Sequence, residues 1–448
     1  MLSIWQWGYR VLILAGSWVF FAWQDPVALV WLAGVTLLGY GVGMVLQPAN
    51  RPALIAAIVG IVGMLAFFKY GDLLTGRSFL IPLGLSYYSL MVIGYLIDVY
   101  RGDVTPEENP IIFALYVGFF PQVTAGPIGR GEALLSQYRE PIVIRVEDIK
   151  AGLLMLALGI YQKWVLADNL RNVVDRLADS PDGGLITVTA MLLFSLVIYY
   201  DFAGYSLIAL GLGRLMGIRL QDNFHAPYLA SSIREFWRRW HISLSTWFRD
   251  YLYIPLGGSR VRPARRDLNT LIVFTVSGAW HGQAIGFWLW GLLHGIYLVV
   301  ENRLRGVGRQ MRGESQTHDR TCRWWKPFGR ILVFLFVSLA WVPFYAGTWD
   351  NTFALFGRMF DGTWDSFCAA FFNGFGMRWE IWLIIGISVI LYLVIALLQE
   401  HFQYQLYEEI AKHGWIIFIL AIVLYTVLLL VGNYGSEYDA STFIYGGF

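Results

Sequence analysis

Charged residues are scarce in this sequence. Asp, Glu, Lys and Arg make up 14% of its 448 residues, whereas 57% are hydrophobic, and the mean hydropathy is +0.54. Soluble domains carry roughly 25% charged residues, so this composition excludes an ordinary soluble protein and indicates a multi-pass membrane protein. The formal net charge of +2 gives no reason to expect a nucleic-acid partner. The positions of the basic residues along the chain are more informative.

Cysteine is almost absent as well, with only Cys322 and Cys368 in the chain. The topology derived below places them on opposite sides of a membrane, so we predict no disulfide. The seven histidines include no pair at metal-ligand spacing beside cysteines or carboxylates, and no metal site is predicted. The first apolar run lacks a basic start and a cleavage site and contains Arg10, which indicates a retained helix rather than a signal peptide.

Long apolar runs alternate with short polar breaks along the chain. A bilayer core about 30 Å thick is crossed by roughly 20 apolar helical residues. We find neither repeated halves nor a separable soluble segment, so residues 1–448 are predicted to form one all-α polytopic membrane domain. Its candidate membrane segments are residues 4–23, 27–46, 52–68, 80–98, 110–127, 151–166, 187–213, 270–300, 331–346, 381–398 and 415–432.

Basic residues concentrate in two of the breaks. Residues 214–268 contain ten Arg and four acidic residues, and residues 301–330 contain eight Lys or Arg and three acidic residues. The positive-inside rule places both segments in the cytoplasm. The run between them, 270–300, must then enter the membrane and return as a re-entrant hairpin, which its glycines at 278, 282, 286 and 291 permit if protein shields the backbone. About ten transmembrane helices result, with both termini outside.

The first basic segment contains an unusual stretch, FWRRWHISLSTWFRDYLYIPLGG, at residues 236–258. At helical spacing its apolar residues share two adjacent faces, while Arg234, Arg238 and Arg249 project towards water or lipid headgroups. We interpret it as an interfacial amphipathic helix, in which Trp and Arg are common for reasons unrelated to catalysis. His241 lies on the more apolar side, where an ionisable group needs a partner or a function.

The predicted hairpin carries two more histidines within SGAWHGQAIGFWLWGLLHG, residues 277–295. His281 and His294 lie in an apolar run, where polar groups usually line a cavity or site, although a hydrogen bond between two helices would also account for either. Glycines near His281 would let backbone or substrate approach closely. Another polar group at membrane depth, Asp201 in YYDFAGYS, is most simply a counter-ion for a buried Arg or His.

Four further segments precede these motifs: FPQVTAGPIGR (120–130), YDFAGYS (200–206), GLGRLMGIRL (211–220) and NFHAPY (223–228). In this order, with WHG and WGLLHG following the 236–258 stretch, they resemble the signature of the membrane-bound O-acyltransferase family. The similarity is strong over residues 80–300. It is greatest to the bacterial branch that O-acetylates polysaccharides such as alginate, although Leu207 after GYS is more similar to the branch that transfers D-alanine to teichoic acids.

The resemblance implies roles for two histidines. Acyl transfer in the family depends on the histidine of the WHG motif, which corresponds to His281, and a second family position corresponds to His241. An imidazole suits removal of a hydroxyl proton. His281 is therefore expected to be the base or to activate the acceptor, and His241 to orient the thioester or stabilise charge. Substrate contacts are expected from Asp201, Arg238, Arg239, Trp240, Ser245, Arg249, Trp280 and His294.

The resemblance also implies a donor and partners. The donor would be a cytoplasmic thioester, acetyl-CoA or an acyl carrier, with no bound cofactor. The family is disc-shaped and thinned at its centre, so the acyl group would cross the bacterial cytoplasmic (inner) membrane there, and a separate extracytoplasmic acetyltransferase would carry it to a polysaccharide. Positive charge at the donor entrance would come from Arg238, Arg239 and Arg249 and, nearby, Arg260, Arg262, Arg265 and Arg266, although the positive-inside bias explains most of these arginines too.

Two other functions remain open. The first is transfer of D-alanyl or another acyl group from a carrier-protein thioester to a cell-envelope polymer. The second is transport without chemistry, in which the histidines would form a proton relay. Transporters commonly contain inverted repeats, and we detect none in this sequence. Acetyl transfer for an extracytoplasmic polysaccharide is therefore the predicted function.

Overall fold

The computed structural model describes residues 4–46, 50–77, 79–123, 126–180, 183–312, 325–364, 367–368, 379–402 and 406–432, which contain helices and no strands. The N-terminal helices are α1 (Ile4–Gln24), α2 (Pro26–Val45), α3 (Arg51–Thr75), α4 (Leu85–Arg101), α5 (Pro110–Gly118), α6 (Phe120–Val123) and α7 (Gly131–Arg139). The central helices are α8 (Val146–Ile160), α9 (Asp168–Ala178), α10 (Gly184–Leu215), α11 (Ile233–Arg239), α12 (Ile242–Phe248), α13 (Pro263–His281) and α14 (Ile285–Arg312). The C-terminal helices are α15 (Trp325–Ala346), α16 (Trp349–Arg358), α17 (Trp379–Phe402), α18 (Leu406–Ala411) and α19 (Gly414–Val431).

The all-α membrane class predicted from the sequence is confirmed. Among the described residues, six segments are long and apolar enough to cross a membrane: Pro26–Val45, Arg51–Leu73, Val146–Ala178, Gly184–Leu215, Lys326–Ala346 and Trp382–Phe402. The count of ten crossings and the entry of the hairpin into the bilayer stay predictions. Cys322 lies outside the described residues. The absence of a disulfide between Cys322 and Cys368 therefore stays a prediction.

Helix α10 is the centre of the bundle. It packs along α8, and glycines on both helices allow their backbones to touch. A Cβ atom at Gly204 would lie 2.8 Å from the Gly159 carbonyl oxygen, and one at Gly211 would lie 2.7 Å from the Gly152 carbonyl oxygen. Small residues at such spacing are typical of helix contacts in membranes. The close contact fixes the position of α10, which carries Phe202.

The run 270–300 forms a helical hairpin. Helices α13 and α14 turn back on each other at residues 282–284, and they begin and end in the flanking basic segments. A Cβ atom at Gly278 would lie 2.4 Å from the Phe287 carbonyl oxygen, so only glycine lets the two arms meet there. The tight turn fixes His281, the last residue of α13, at the tip of the hairpin.

The predicted interfacial helix over 236–258 is wrong in one respect, because the structure divides it. Helix α11 ends at Arg239 and α12 begins at Ile242. Between them His241 adopts a left-handed backbone conformation with φ +43°. The Ile242 amide donates to the Asn223 carbonyl oxygen at 2.9 Å instead of continuing the helical ladder. This tertiary hydrogen bond overrides the local helical pattern, so the helix is interrupted at His241.

Candidate active site

Two buried histidines flank one tryptophan at the centre of the site. The ring centroid of Trp280 lies 6.4 Å from that of His241 and 5.0 Å from that of His281. His241 and His281 are each only 2% exposed. The structure therefore brings together the two histidines that the sequence singled out, although they lie 40 positions apart on different elements.

Aromatic side chains enclose the histidine pair. Phe202 of α10 contacts the ring of His241, with centroids 4.6 Å apart. Trp290 and Phe344 contact the ring of His281, at 5.1 Å and 5.6 Å. These walls keep water from the imidazoles, and in such surroundings electrostatic interactions are stronger than in solvent. The environment suits proton transfer between a substrate hydroxyl and an imidazole.

The end of α3 holds the tip of the hairpin. Lys69 donates a hydrogen bond to the Trp280 carbonyl oxygen, and Tyr70 donates to the carbonyl oxygen of Ala279. Beyond them, Asp72 accepts a hydrogen bond from Gln283 at 2.7 Å. The last carbonyls of a helix lack intrahelical partners and favour a nearby cation. Lys69 supplies both a hydrogen-bond donor and a positive charge at this helix end, and so fixes the backbone that carries His281.

Asn223 organises the backbone and side chains around His241. Its Oδ1 accepts hydrogen bonds from Ser243 Oγ at 2.6 Å and from the Ser243 amide at 3.3 Å, and lies 3.4 Å from His241 Nδ1. Its Nδ2 donates to Ser206 Oγ at 3.1 Å. The Ser243 hydroxyl also accepts from the Ile128 amide at 3.0 Å. Ile128, Ser206 and Asn223, which are far apart in the sequence, are thereby linked by hydrogen bonds around His241.

A cavity of about 1200 Å³ is lined by residues of the basic segment and of the hairpin. It borders Ile242, the residue after His241, but neither histidine lines it. Four arginines line it, and no acidic side chain of the described residues does; the four are Arg234, Arg238, Arg249 and Arg266. The lining reaches Ser245 and Ser277, each four residues from one of the two histidines. A cavity of this charge suits an anionic ligand.

Several residues predicted to contact substrate line this cavity. Arg238, Ser245 and Arg249 do so, and both arginines are exposed. The hydrogen bond to Asp250 raises the pKa of Arg249, which secures its positive charge. Trp280 lies deeper, between the histidines. Of the more distant basic cluster, Arg266 lines the cavity, whereas its lining does not include Arg260, Arg262 and Arg265.

Arg239 and Trp240 are placed elsewhere. Arg239 forms ion pairs with Glu235 at 2.6 Å and with Glu400 at 3.2 Å, which tie α11 to α17. Burial alone would raise the pKa of Glu235, but hydrogen bonds from Ser231 and the charge of Arg239 hold it below its usual value. Trp240 is 1% exposed and stacks on Phe236 in the core. The structure gives both residues packing and anchoring contacts, and their substrate contacts stay predictions.

His294 lies in an aromatic cluster one step from the site. Its Nδ1 accepts a hydrogen bond from Trp237 Nε1 at 3.3 Å, and its ring stacks on Phe236. The ring centroid of Trp290, which contacts His281, lies 5.4 Å from it. His294 thus makes the hydrogen bond between helices that was the alternative interpretation of a membrane histidine. Its predicted contact with substrate stays a prediction.

Asp201 of α10 forms a buried ion cluster with Lys163 and Asp168. Lys163 Nζ lies 2.7 Å from Asp201 Oδ1 and 2.6 Å from Asp168 Oδ1. Lys163 and Asp168 come together because residues Tyr161–Ala167 form a π-helical segment, in which the Asp168 amide donates to the Lys163 carbonyl oxygen. Asp201 is a counter-ion, as expected, but its partner is a lysine rather than an arginine or histidine.

The chain matches a known protein family and is similar to several named bacterial proteins. The model of the membrane-bound O-acyltransferase family (MBOAT) matches residues 107–345. The chain is 35% identical over 377 residues to the probable alginate O-acetylase AlgI of Pseudomonas aeruginosa, covering 79% of this chain and 70% of that protein. It is 32% identical over 382 residues to the peptidoglycan O-acetyltransferase of Helicobacter pylori, covering 75% and 71%. A teichoic acid D-alanyltransferase of Streptococcus thermophilus is 29% identical over 290 residues, covering 60% and 69%.

Proposed function

The chain belongs to the membrane-bound O-acyltransferase family, and we propose that it takes an acetyl group from a cytoplasmic thioester and passes it across the membrane for O-acetylation of an extracytoplasmic polysaccharide. The observation that carries this proposal is the pair His241 and His281, buried around Trp280, together with an arginine-lined cavity that borders Ile242, the residue after His241. Identity favours acetyl over D-alanyl transfer, since two relatives named as O-acetylating proteins are 35% and 32% identical and the D-alanyltransferase is 29% identical.

The chemistry follows from the enclosure of the two imidazoles. One imidazole takes the proton of the acceptor hydroxyl while the hydroxyl oxygen attacks the thioester carbonyl carbon. The carbon–sulfur bond then breaks, and the thiolate leaves with the proton returned by the imidazolium. The second imidazole orients or polarises the thioester. No bound cofactor is needed for these steps, and the aromatic walls limit hydrolysis by water.

The proposed topology places the donor and the acceptor on opposite sides. With the basic segments 214–268 and 301–330 in the cytoplasm, the arginine-lined cavity opens towards the compartment in which acyl thioesters are made. The hairpin then carries His281 from that side into the cytoplasmic membrane of a bacterium. An extracytoplasmic acetyltransferase receives the acetyl group and completes its transfer to the polymer.

A donor comparison tests this function. Membranes containing the protein are incubated with radiolabelled acetyl-CoA or with a carrier protein loaded with radiolabelled D-alanine. We expect base-labile label in extracytoplasmic polysaccharide from acetyl-CoA alone. Labelling from the D-alanyl carrier alone would instead support transfer of D-alanine to a cell-envelope polymer. Uptake of an intact solute without cleavage of any thioester would contradict an acyltransferase altogether.

Charge reversal in the cavity tests the donor site. Arg238→Glu is expected to raise the KM for acetyl-CoA about tenfold with little change in kcat, because it replaces an attractive charge by a repulsive one where the anionic donor binds. Arg262→Glu is the matched control, since this equally exposed arginine does not line the cavity. Equal effects of the two substitutions on KM would mean that general positive charge, rather than this cavity, attracts the donor.

A further inference from the structure

Unpaired hydroxyl groups are concentrated at the start of α4. Ser86, Tyr87, Tyr88 and Ser89 are each at most 1% exposed, and none of their hydroxyl oxygens has a hydrogen-bond partner among the described residues. Burying an unpaired polar group costs free energy, and in native proteins such a group often has a catalytic role. A ligand with polar atoms would satisfy these hydroxyls.

Tyr87 links the start of α4 to the histidine pair. Its ring contacts that of Trp280, with centroids 5.8 Å apart, and Trp280 lies between His241 and His281. Trp280 Nε1 is also buried and has no hydrogen-bond partner in the part of the chain that the structure describes. An indole N–H can only donate a hydrogen bond, and a tyrosine hydroxyl is also a donor. Two unused donors therefore lie on touching rings beside the histidines.

The surroundings of these two donors are electrically positive. Helix α4 begins at Leu85, and no side chain caps its N-terminus. The N-terminus of a helix carries a partial positive charge and favours an anion. In addition, the Lys69 ammonium lies 5.3 Å from the centre of the Trp280 ring. Both features stabilise negative charge near Trp280, and acyl transfer develops such a charge on the carbonyl oxygen of the thioester.

We propose that Tyr87 is a catalytic residue whose hydroxyl, together with Trp280 Nε1, donates hydrogen bonds to the thioester carbonyl oxygen as that oxygen becomes negatively charged. This inference rests on the proposed acyl transfer. The acceptor oxygen bonds to the carbonyl carbon, the electron pair of the C=O bond moves to the carbonyl oxygen, and His281 takes the hydroxyl proton. The carbonyl then re-forms, the carbon–sulfur bond breaks, and the imidazolium gives its proton to the thiolate. Tyr87 and Trp280 thus stabilise the intermediate more than the substrate.

Tyr87→Phe tests this role, because it removes only the hydroxyl oxygen and keeps the ring against Trp280. We expect kcat for acetyl transfer to fall about 10²-fold, the usual effect of losing one oxyanion donor, while the KM for acetyl-CoA stays within threefold. The midpoint of thermal unfolding should not fall, because the hydroxyl has no partner within the described chain to lose. Both values are measured on the same monodisperse preparation in detergent.

Two other fully buried tyrosines provide matched controls. Tyr116→Phe removes a hydroxyl that donates to the Met91 carbonyl oxygen at 3.0 Å, so we expect a lower unfolding midpoint and a kcat within threefold of wild type. Tyr138→Phe removes an unpaired hydroxyl on α7, where the ring packs against Phe119. It should change neither kcat by more than threefold nor the unfolding midpoint.

Three results would overturn the assignment of Tyr87. The first is a kcat for Tyr87→Phe within threefold of wild type. The second is a loss confined to KM. The third is an unfolding midpoint that falls as far as that of Tyr116→Phe, since the hydroxyl would then hold a structural hydrogen bond, for example to a bound water molecule. A wild-type protein that transfers no acetyl group would refute the proposed function as well, whereas equal activity of Tyr87→Phe and an active wild type would refute the role of Tyr87 alone.

Discussion

Replacing His281 with alanine is expected to lower acetyl transfer about 10³-fold, within the range that loss of one acid or base group produces. His281 ends α13 at the tip of the hairpin, and the α3 residues Lys69 and Tyr70 fix the carbonyls beside it. No other part of the site needs to move when the side chain is removed. The loss should therefore appear in kcat rather than in the amount of folded protein. Acetyl label in the polymer of cells that make the variant at normal levels is the measurement.

Two further variants control this result. His281→Gln keeps most of the side-chain volume among Trp290 and Phe344, so it separates lost chemistry from a packing defect. His401→Ala removes an exposed histidine at the end of α17 and should leave acetylation within twofold. Polymer acetylation that persists in His281→Ala at wild-type levels would remove His281 from the reaction.

Replacing Lys163 with methionine is expected to lower the free energy of unfolding by about 3–5 kcal/mol, the usual result of leaving a buried charge without its partner. Lys163 is 1% exposed and lies between the carboxylates of Asp168 and Asp201, which are also buried. Without the lysine, two negative charges face each other inside the bundle. The midpoint of thermal unfolding in detergent, followed by tryptophan fluorescence, should fall by several degrees.

The chain contains a matched control for this substitution. Lys412→Met breaks an ion pair with Glu409 whose distance is also 2.6 Å but whose side chains are 61% and 34% exposed. Solvent screens such pairs, so we expect a change of less than about 1 kcal/mol. Adding Asp168→Asn and Asp201→Asn to Lys163→Met should restore a large part of the lost stability. If Lys163→Met and Lys412→Met unfold at the same temperature, the cluster contributes no stability as a buried ion group.

The residues with the strongest chemical signal were predictable from the sequence. His241 and His281 stood out because an imidazole in an apolar setting is costly without a function. The glycines of the hairpin predicted its close helix contact, which Gly278 confirms. Three of the four cavity arginines, Arg238, Arg249 and Arg266, belong to the set predicted at the donor entrance, whereas Arg234 does not. The sequence could not separate Arg238, which lines the cavity, from Arg239, which pairs with glutamates.

The supporting residues were not predictable, because each acts through a partner far away in the chain. Lys69 follows the apolar run 52–68, so the sequence pattern explains it simply as the end of a membrane segment. Its hydrogen-bond partner, the Trp280 carbonyl oxygen, is 211 residues away. Asn223 belonged to a recognised motif, but its contact with His241 depends on a break in the helix that local periodicity does not encode. Lys163 lay inside an apolar run, and only the π-helical spacing brings Asp168 beneath it.

The most direct test of acetyl transfer across the membrane uses inside-out vesicles from cells that make the polymer. Acetyl-CoA labelled in its acetyl group is added outside, where the arginine-lined cavity is then exposed, and both the released thiol and the label in the enclosed polymer are measured. We predict one free CoA thiol outside for each base-labile acetyl group inside, and neither product with His281→Ala. Label that reaches the interior while the thioester stays intact would contradict the account.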